Sequence, residues 1–204
     1  LLPEDDSVHA AHGAVLYALG KLGAAARAYA RALELEPDSA DHYLGKARAE
    51  EEQEKYEAAR TSLRQATRIR PDDAEAQLRL GRACARLHMN DEALAALLES
   101  TRLEGTNGEA FAALADLHAA MGARELAVRA YQKATELDPG EEPVLRRYAA
   151  LLTELGRHPE AAAAFAKIAK LSADDPDAQL ALGRAHAAGG AGEAGRDAVP
   201  PAAP

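Results

Sequence analysis

Large and small apolar residues recur along this chain at two spacings, one helical and one much longer. Pro3, Pro37, Pro71, Gly105, Pro139 and Ala173 stand 34 residues apart, with the same order of small and large side chains between them. A fixed period of that length marks a repeat array, in which each unit packs only against its neighbours. In phase, the full units run 6–39, 40–73, 74–107, 108–141 and 142–175, followed by a capping helix over 176–188. The 3.6-residue period inside each unit predicts two helices and leaves no room for strands.

Four columns define the packing. Gly13, Ala47, Gly81, Ala115, Ala149 and Gly183 put a small residue in the middle of each first helix, and Ala25, Ala59, Ala93, Ala127 and Ala161 do so in the second. Side chains no larger than a methyl let crossing helices approach closely. Tyr29, Leu63, Leu97, Tyr131 and Phe165 form a large apolar column, and Leu35, Ile69, Leu103, Leu137 and Leu171 a second one. Burying each such group is worth roughly 1.5 to 3 kcal/mol, which favours a packing role for the tyrosines. Gly20, Gly122 and Gly156 fall where first helices should end, and Pro143, Pro159 and Pro176 where helices should begin. Both placements suit helix termini.

Composition narrows the class of function. Aromatic residues make up only 4% of the chain and Trp is missing, so the core must be built mainly from Ala and Leu. A net charge of -9 and a pI near 5.3 argue against nucleic acid as partner, since phosphate binding needs excess Lys and Arg. The single Cys rules out a disulfide framework within the chain. No apolar run is long enough for a membrane span, and no signal-peptide pattern is visible. Leu1-Leu2-Pro3-Glu4-Asp5 is in phase with Leu35-Glu36-Pro37-Asp38-Ser39, so residues 1–5 read as the tail of a preceding repeat and the chain as a segment of a longer array.

Leu80-Gly81, Tyr131, Ala134 and Leu137-Asp138-Pro139, with their spacing, carry a resemblance to the tetratricopeptide repeat (TPR) family over about residues 6–188. The chain departs from that pattern in two ways. The family's early Trp is replaced by His9, Tyr43, Gln77, Phe111 and Leu145, and the second unit puts Lys46 and Glu50 at usually apolar positions, which marks it as a soft joint. The resemblance implies an all-α, right-handed superhelical solenoid of helix-turn-helix TPR units, whose first helices line a concave groove that binds segments of other proteins. The family's carboxylate clamp for chaperone tails is not in register: its positions read Ala10, Ala14, Gly45 and Glu75, with only Arg79 matching.

The central groove positions implied by the resemblance hold Arg48, Arg79, Arg82, Arg146, Arg147 and Arg184 against one acid, Asp116, and Arg86 extends the set by a turn. Asp41, Glu51, Glu52, Glu75, Glu109, Glu154 and Asp177 are expected nearer the edges. The functional reading is a basic groove floor for an acidic peptide or helix, since the Arg fork pairs bidentately with carboxylates. The competing reading is a solvated face of Arg paired with those same acids, at about 0 to 1 kcal/mol per pair.

Other constellations are weaker. Gly190-x-Gly192-x-x-Gly195 matches a dinucleotide fingerprint only as text, because it follows a helix and leads into Pro200-Pro201. Cys84, His88 and His118 offer three soft ligands with no fourth in phase, so no metal site is expected and Cys84 reads as a buried small hydrophobe. His9 and His12 share a helix face at the open start of the array. Ser7, Ser39, Ser62, Ser100 and Ser172 lack a matched base and acid, so no enzyme and no cofactor is expected. Residues 189–204, rich in Gly, Ala and Pro, read as a disordered tail or linker. The expected function is a cytoplasmic, bacterial scaffold that recruits another protein or peptide. Two alternatives stay open: a substrate-recognition arm of a larger enzyme, and self-association through the array's ends.

Overall fold

The computed structural model describes residues 5–172 and 176–197; for Ala178 and residues 190–197 it describes the backbone alone. The rest of the expected preceding-repeat tail, residues 1–4, and the Pro-rich end, residues 198–204, lie outside the described residues. Among the described residues there are eleven helices and no strand: α1 (Asp6–Ala18), α2 (Leu22–Leu35), α3 (Ala40–Glu51), α4 (Tyr56–Ile69), α5 (Ala74–Arg86), α6 (Asn90–Leu103), α7 (Gly108–Ala120), α8 (Arg124–Leu137), α9 (Glu142–Glu154), α10 (His158–Leu171) and α11 (Pro176–Asp197). The first helices of successive pairs begin 34 residues apart, at Asp6, Ala40, Ala74, Gly108, Glu142 and Pro176. The fold is an all-α solenoid of helix-turn-helix repeats.

Where the sequence reads as one array, backbone contacts divide the chain into two compact units, Leu1–Leu117 and His118–Pro204. In the first, α1 packs on α2, α3 on α4 and α5 on α6, while α2 meets α3 and α4 meets α5. In the second, α9 packs on both α8 and α10, and α10 on α11.

Local chemistry sets the helix ends. Asp5, Ser39, Asp73 and Asn107 precede α1, α3, α5 and α7, and their side chains accept hydrogen bonds from the backbone N–H groups of Ser7, His42, Ala76 and Ala110. Gly20, Gly122 and Gly156 close first helices with φ of 70°, 76° and 70°. The same position in the second and third repeats is held by Glu54 and His88, at φ of 57° and 58°, in the left-handed region that L side chains disfavour.

The small-residue columns are the floor of the core. Ala25, Ala59, Ala93, Ala127 and Ala161 are all fully buried, as are Ala47, Ala115 and Ala149. A Cβ on Gly81 would sit 2.6 Å from Leu97 Cγ, and one on Gly45 would sit 2.4 Å from the Tyr29 ring, so both glycines are needed for close approach. In the second unit Leu145, Ala149, Ala164 and Ile168 form a cluster flanked by Tyr148 and Phe165. Two expectations are corrected. Leu35 and Leu171, each the last residue of its helix, are 38% and 48% exposed, whereas Ile69, Leu103 and Leu137 in the same column are half-buried. The last helix also continues past Ala188 to Asp197, so Gly190, Gly192 and Gly195 are helical; no proline interrupts the Ala-rich stretch before Pro200.

The polar pair in the second repeat, 40–73, is accommodated rather than strained. Glu50 is buried, accepts a 2.8 Å hydrogen bond from Ser62 Oγ and lies 3.5 Å from Lys46 Nζ. A buried carboxylate left without such partners is costly to desolvate.

Candidate partner-binding site

Arg79, Arg82 and Arg86 follow one another at three- and four-residue steps on α5, so they share one helix face. Arg48 occupies the Arg82 position one repeat earlier, on α3. The structure brings these four together around a cavity of about 660 Å³ within the first unit. Tyr56 at the start of α4, Ala83, and Glu51, Glu52, Glu54 and Glu75 complete its wall.

The cavity is mixed in charge rather than purely basic: four glutamates line it together with four arginines, and Glu54, not among the acids expected at its edges, is one of them. Helical periodicity places side chains on a face but does not fix how far a long Glu reaches around it. Arg79 is spent inside the wall. Its Nη2 lies 2.6 Å from Glu51 Oε2 and donates to the Leu44 carbonyl at 3.5 Å, with its side chain only 15% exposed. Arg82 is paired with Glu109 at the start of α7.

Arg48 and Arg86 are held differently. The Arg48 guanidinium lies 4.8 Å from the Tyr17 ring centroid and donates from Nε to the Tyr17 hydroxyl at 3.1 Å. Tyr17 donates in turn to Glu52 at 3.4 Å. Arg86 lies 5.8 Å over the Tyr56 ring. Aromatic faces attract guanidinium ions while leaving the in-plane N–H groups open to an acceptor. Among the described residues neither arginine has a carboxylate within ion-pair distance. Both are exposed. Tyr17 and Tyr56 were not singled out in the sequence, since each comes from a different helix from the arginine it supports.

Arg146, Arg147 and Arg184 belong to the second unit and do not line this cavity. Arg146 pairs with Glu142 one turn back, at 2.6 Å, and Arg147 and Arg184 are exposed. Elsewhere, Cys84 is fully buried and burial pushes its thiol up to about 11. Metal-ligating side chains converge outside this site, at Asp6, Glu36 and His42.

Family models described as tetratricopeptide repeat match residues 11–74, 44–107 and 118–185. The chain belongs to the tetratricopeptide repeat family. Among solved structures, this TPR chain is similar to a MamA protein at 22% identity and a TM-score of 0.76, covering 81% of this chain and 91% of that one. It is similar to YrrB, described as a TPR protein with an unusual peptide-binding site, at 22% identity and a TM-score of 0.72, covering 88% and 93%. It also resembles PilF of Pseudomonas aeruginosa, at 20% identity and a TM-score of 0.74, covering 88% and 82%. At these identities the likeness is one of fold. No curated protein resembles the chain closely enough in sequence to be counted a relative. No helix among the described residues is long and apolar enough to cross a membrane.

Proposed function

We propose that this TPR chain is a protein-interaction scaffold that holds a segment of a partner against the α3 and α5 face of its first unit. Acidic side chains of that segment would meet Arg48 and Arg86. The observation that carries this reading is the division of labour among the four arginines: two are consumed by Glu51 and Glu109, and two are stacked on tyrosines with no carboxylate of their own. Membership of a repeat family, and a structural neighbour described as having a peptide-binding site, support the same class of function. The four glutamates of the wall would select against a uniformly acidic segment and favour one that mixes acids with bases. A short docked segment of this kind binds at about micromolar affinity, about -8 kcal/mol.

Reversing Arg79 or Arg82 would also break their pairs with Glu51 and Glu109, so the diagnostic variant is Arg48→Glu with Arg86→Glu. The probe is a fluorescein-labelled peptide of mixed Glu, Lys and Leu, followed by polarisation at low and high salt. The wild-type chain should bind, with affinity falling as salt rises, and the double variant should bind about tenfold more weakly or less. Arg102→Glu, on an exposed pair with Glu99 elsewhere on the unit, should leave binding unchanged. Equal affinity of wild type and the double variant would remove this site.

A further inference from the structure

Three ligating side chains from three helices meet at the junction of the first two helix pairs, outside the cavity. Asp6 opens α1, Glu36 caps the end of α2, and His42 lies in the first turn of α3. His42 Nε2 is 3.0 Å from Asp6 Oδ2 and 3.4 Å from Glu36 Oε2, and one ligand atom from each residue falls within 4.8 Å of the others. We propose that Asp6, Glu36 and His42 form a site for one zinc ion, which ties the start of α1, the end of α2 and the start of α3 together.

The repeat shows that packing at the His42 position does not call for an imidazole. The same position in the other full units is Val8, Ala76, Ala110 and Val144, all apolar, and Ala76 and Ala110 are fully buried. A buried imidazole in a column that elsewhere takes a methyl or an isopropyl group needs another reason. The contact between the other two positions is built by the fold. Their equivalents in the last full unit, Glu142 and Ser172, also touch, with the Ser172 hydroxyl donating to the carboxylate. In that unit a donor faces an acceptor. At the first junction both members are carboxylates, and the chain supplies a nitrogen between them.

A proton satisfies this arrangement incompletely. One imidazole nitrogen carries at most one hydrogen, while two carboxylate oxygens face it, and the like charges of Asp6 and Glu36 oppose each other. A dication on two carboxylates and a neutral imidazole leaves no net charge. Zinc bonds of about 2.0 to 2.2 Å in tetrahedral array place ligand atoms about 3.3 to 3.5 Å apart, so the two distances from His42 Nε2, 3.0 and 3.4 Å, need change by only a few tenths of an ångström, and the two carboxylates, within 4.8 Å of each other, turn their oxygens onto the same ion. The imidazole favours zinc over magnesium or calcium, which take oxygen ligands. Three protein ligands leave the fourth position to water.

The test is isothermal titration of the whole chain with zinc chloride, with magnesium chloride as control, together with thermal melts. One zinc per chain should bind and raise Tm, and magnesium should do neither. His42→Ala restores the residue found at Ala76 and Ala110, so it should fold, and it should abolish the zinc-dependent rise. Glu36→Gln and Asp6→Asn should each weaken binding by about tenfold or more, about 1.4 kcal/mol, with the Asp5 cap left in place. Absence of saturable one-to-one binding overturns the site. So does binding that survives His42→Ala, which would place the ion on other ligands such as His9 and His12.

Discussion

Ser62 on α4 donates its hydroxyl to Glu50 on α3 at 2.8 Å, inside the helix pair of the second repeat. Both residues break their columns. The Glu50 position is Leu16, Cys84, His118 and Leu152 in the other units, the Ser62 position is Ala in all of them, and the neighbouring Lys46 stands where Leu80, Leu114 and Tyr148 stand. The three departures compensate one another. Removing one partner should therefore cost more than removing all three.

Lys46→Leu alone is expected to destabilise the chain by about 1 to 3 kcal/mol, because it leaves a buried carboxylate with one neutral donor. The triple variant Lys46→Leu, Glu50→Leu, Ser62→Ala should equal or exceed the wild type, by up to about 4 kcal/mol. Urea unfolding of the two variants decides it, and additive losses would contradict the compensation.

Glu54 and His88 hold the left-handed turn that glycine holds at Gly20, Gly122 and Gly156. Glu54→Gly and His88→Gly should each raise stability by about 1 kcal/mol, the strain relieved exceeding the entropy gained by the unfolded chain. Thermal melts would reveal this as a higher Tm for each. A lower one would show that the side chains make contacts worth more than the strain.

The fold was legible because methyl-sized columns leave a trace that tolerates almost any surface: Ala25, Ala59, Ala93, Ala127 and Ala161 recur every 34 residues and are all fully buried. The arginine face of α5 was legible for the same reason, since spacing along one helix fixes it. Tyr17 and Tyr56 were not, because each approaches its arginine from another helix and no single period relates them. The meeting of Asp6, Glu36 and His42 follows no ligand spacing along the chain. It appears only when a helix start, a helix end and the next helix start are folded onto one another.

Cys84 should resist alkylation in the native state. Its thiol is fully buried and pushed up to about 11 from an ordinary value of 9.0, so neither access nor thiolate is available at pH 8. Maleimide labelling should be slow natively and rapid in denaturant. The same shift makes the folded state bind the proton more tightly than the unfolded one between about pH 9 and 11. Stability should then fall as pH rises through that window, by at most about 1.4 kcal/mol per unit, and Cys84→Ala should flatten the decline. Fast native labelling would contradict the burial.

Gly81→Ala should destabilise by about 1 to 3 kcal/mol, because the added methyl would come within 2.6 Å of Leu97 Cγ and 3.2 Å of the Ala93 carbonyl oxygen. Gly140→Ala, where an added Cβ meets nothing within 4 Å, is the control and should be close to neutral. Calorimetry on the pair separates crowding from the general effect of replacing glycine.

Gly45 and Arg79 hold the same place in successive repeats, yet they do opposite things. The bare backbone at Gly45 admits the Tyr29 ring, whereas the long side chain at Arg79 spans back to Leu44 and Glu51. One module is hollow where the next protrudes, and each is shaped for the neighbour it has. Shuffling these modules, or averaging them toward a common sequence, would keep every helix and erase the directionality that fixes which module follows which.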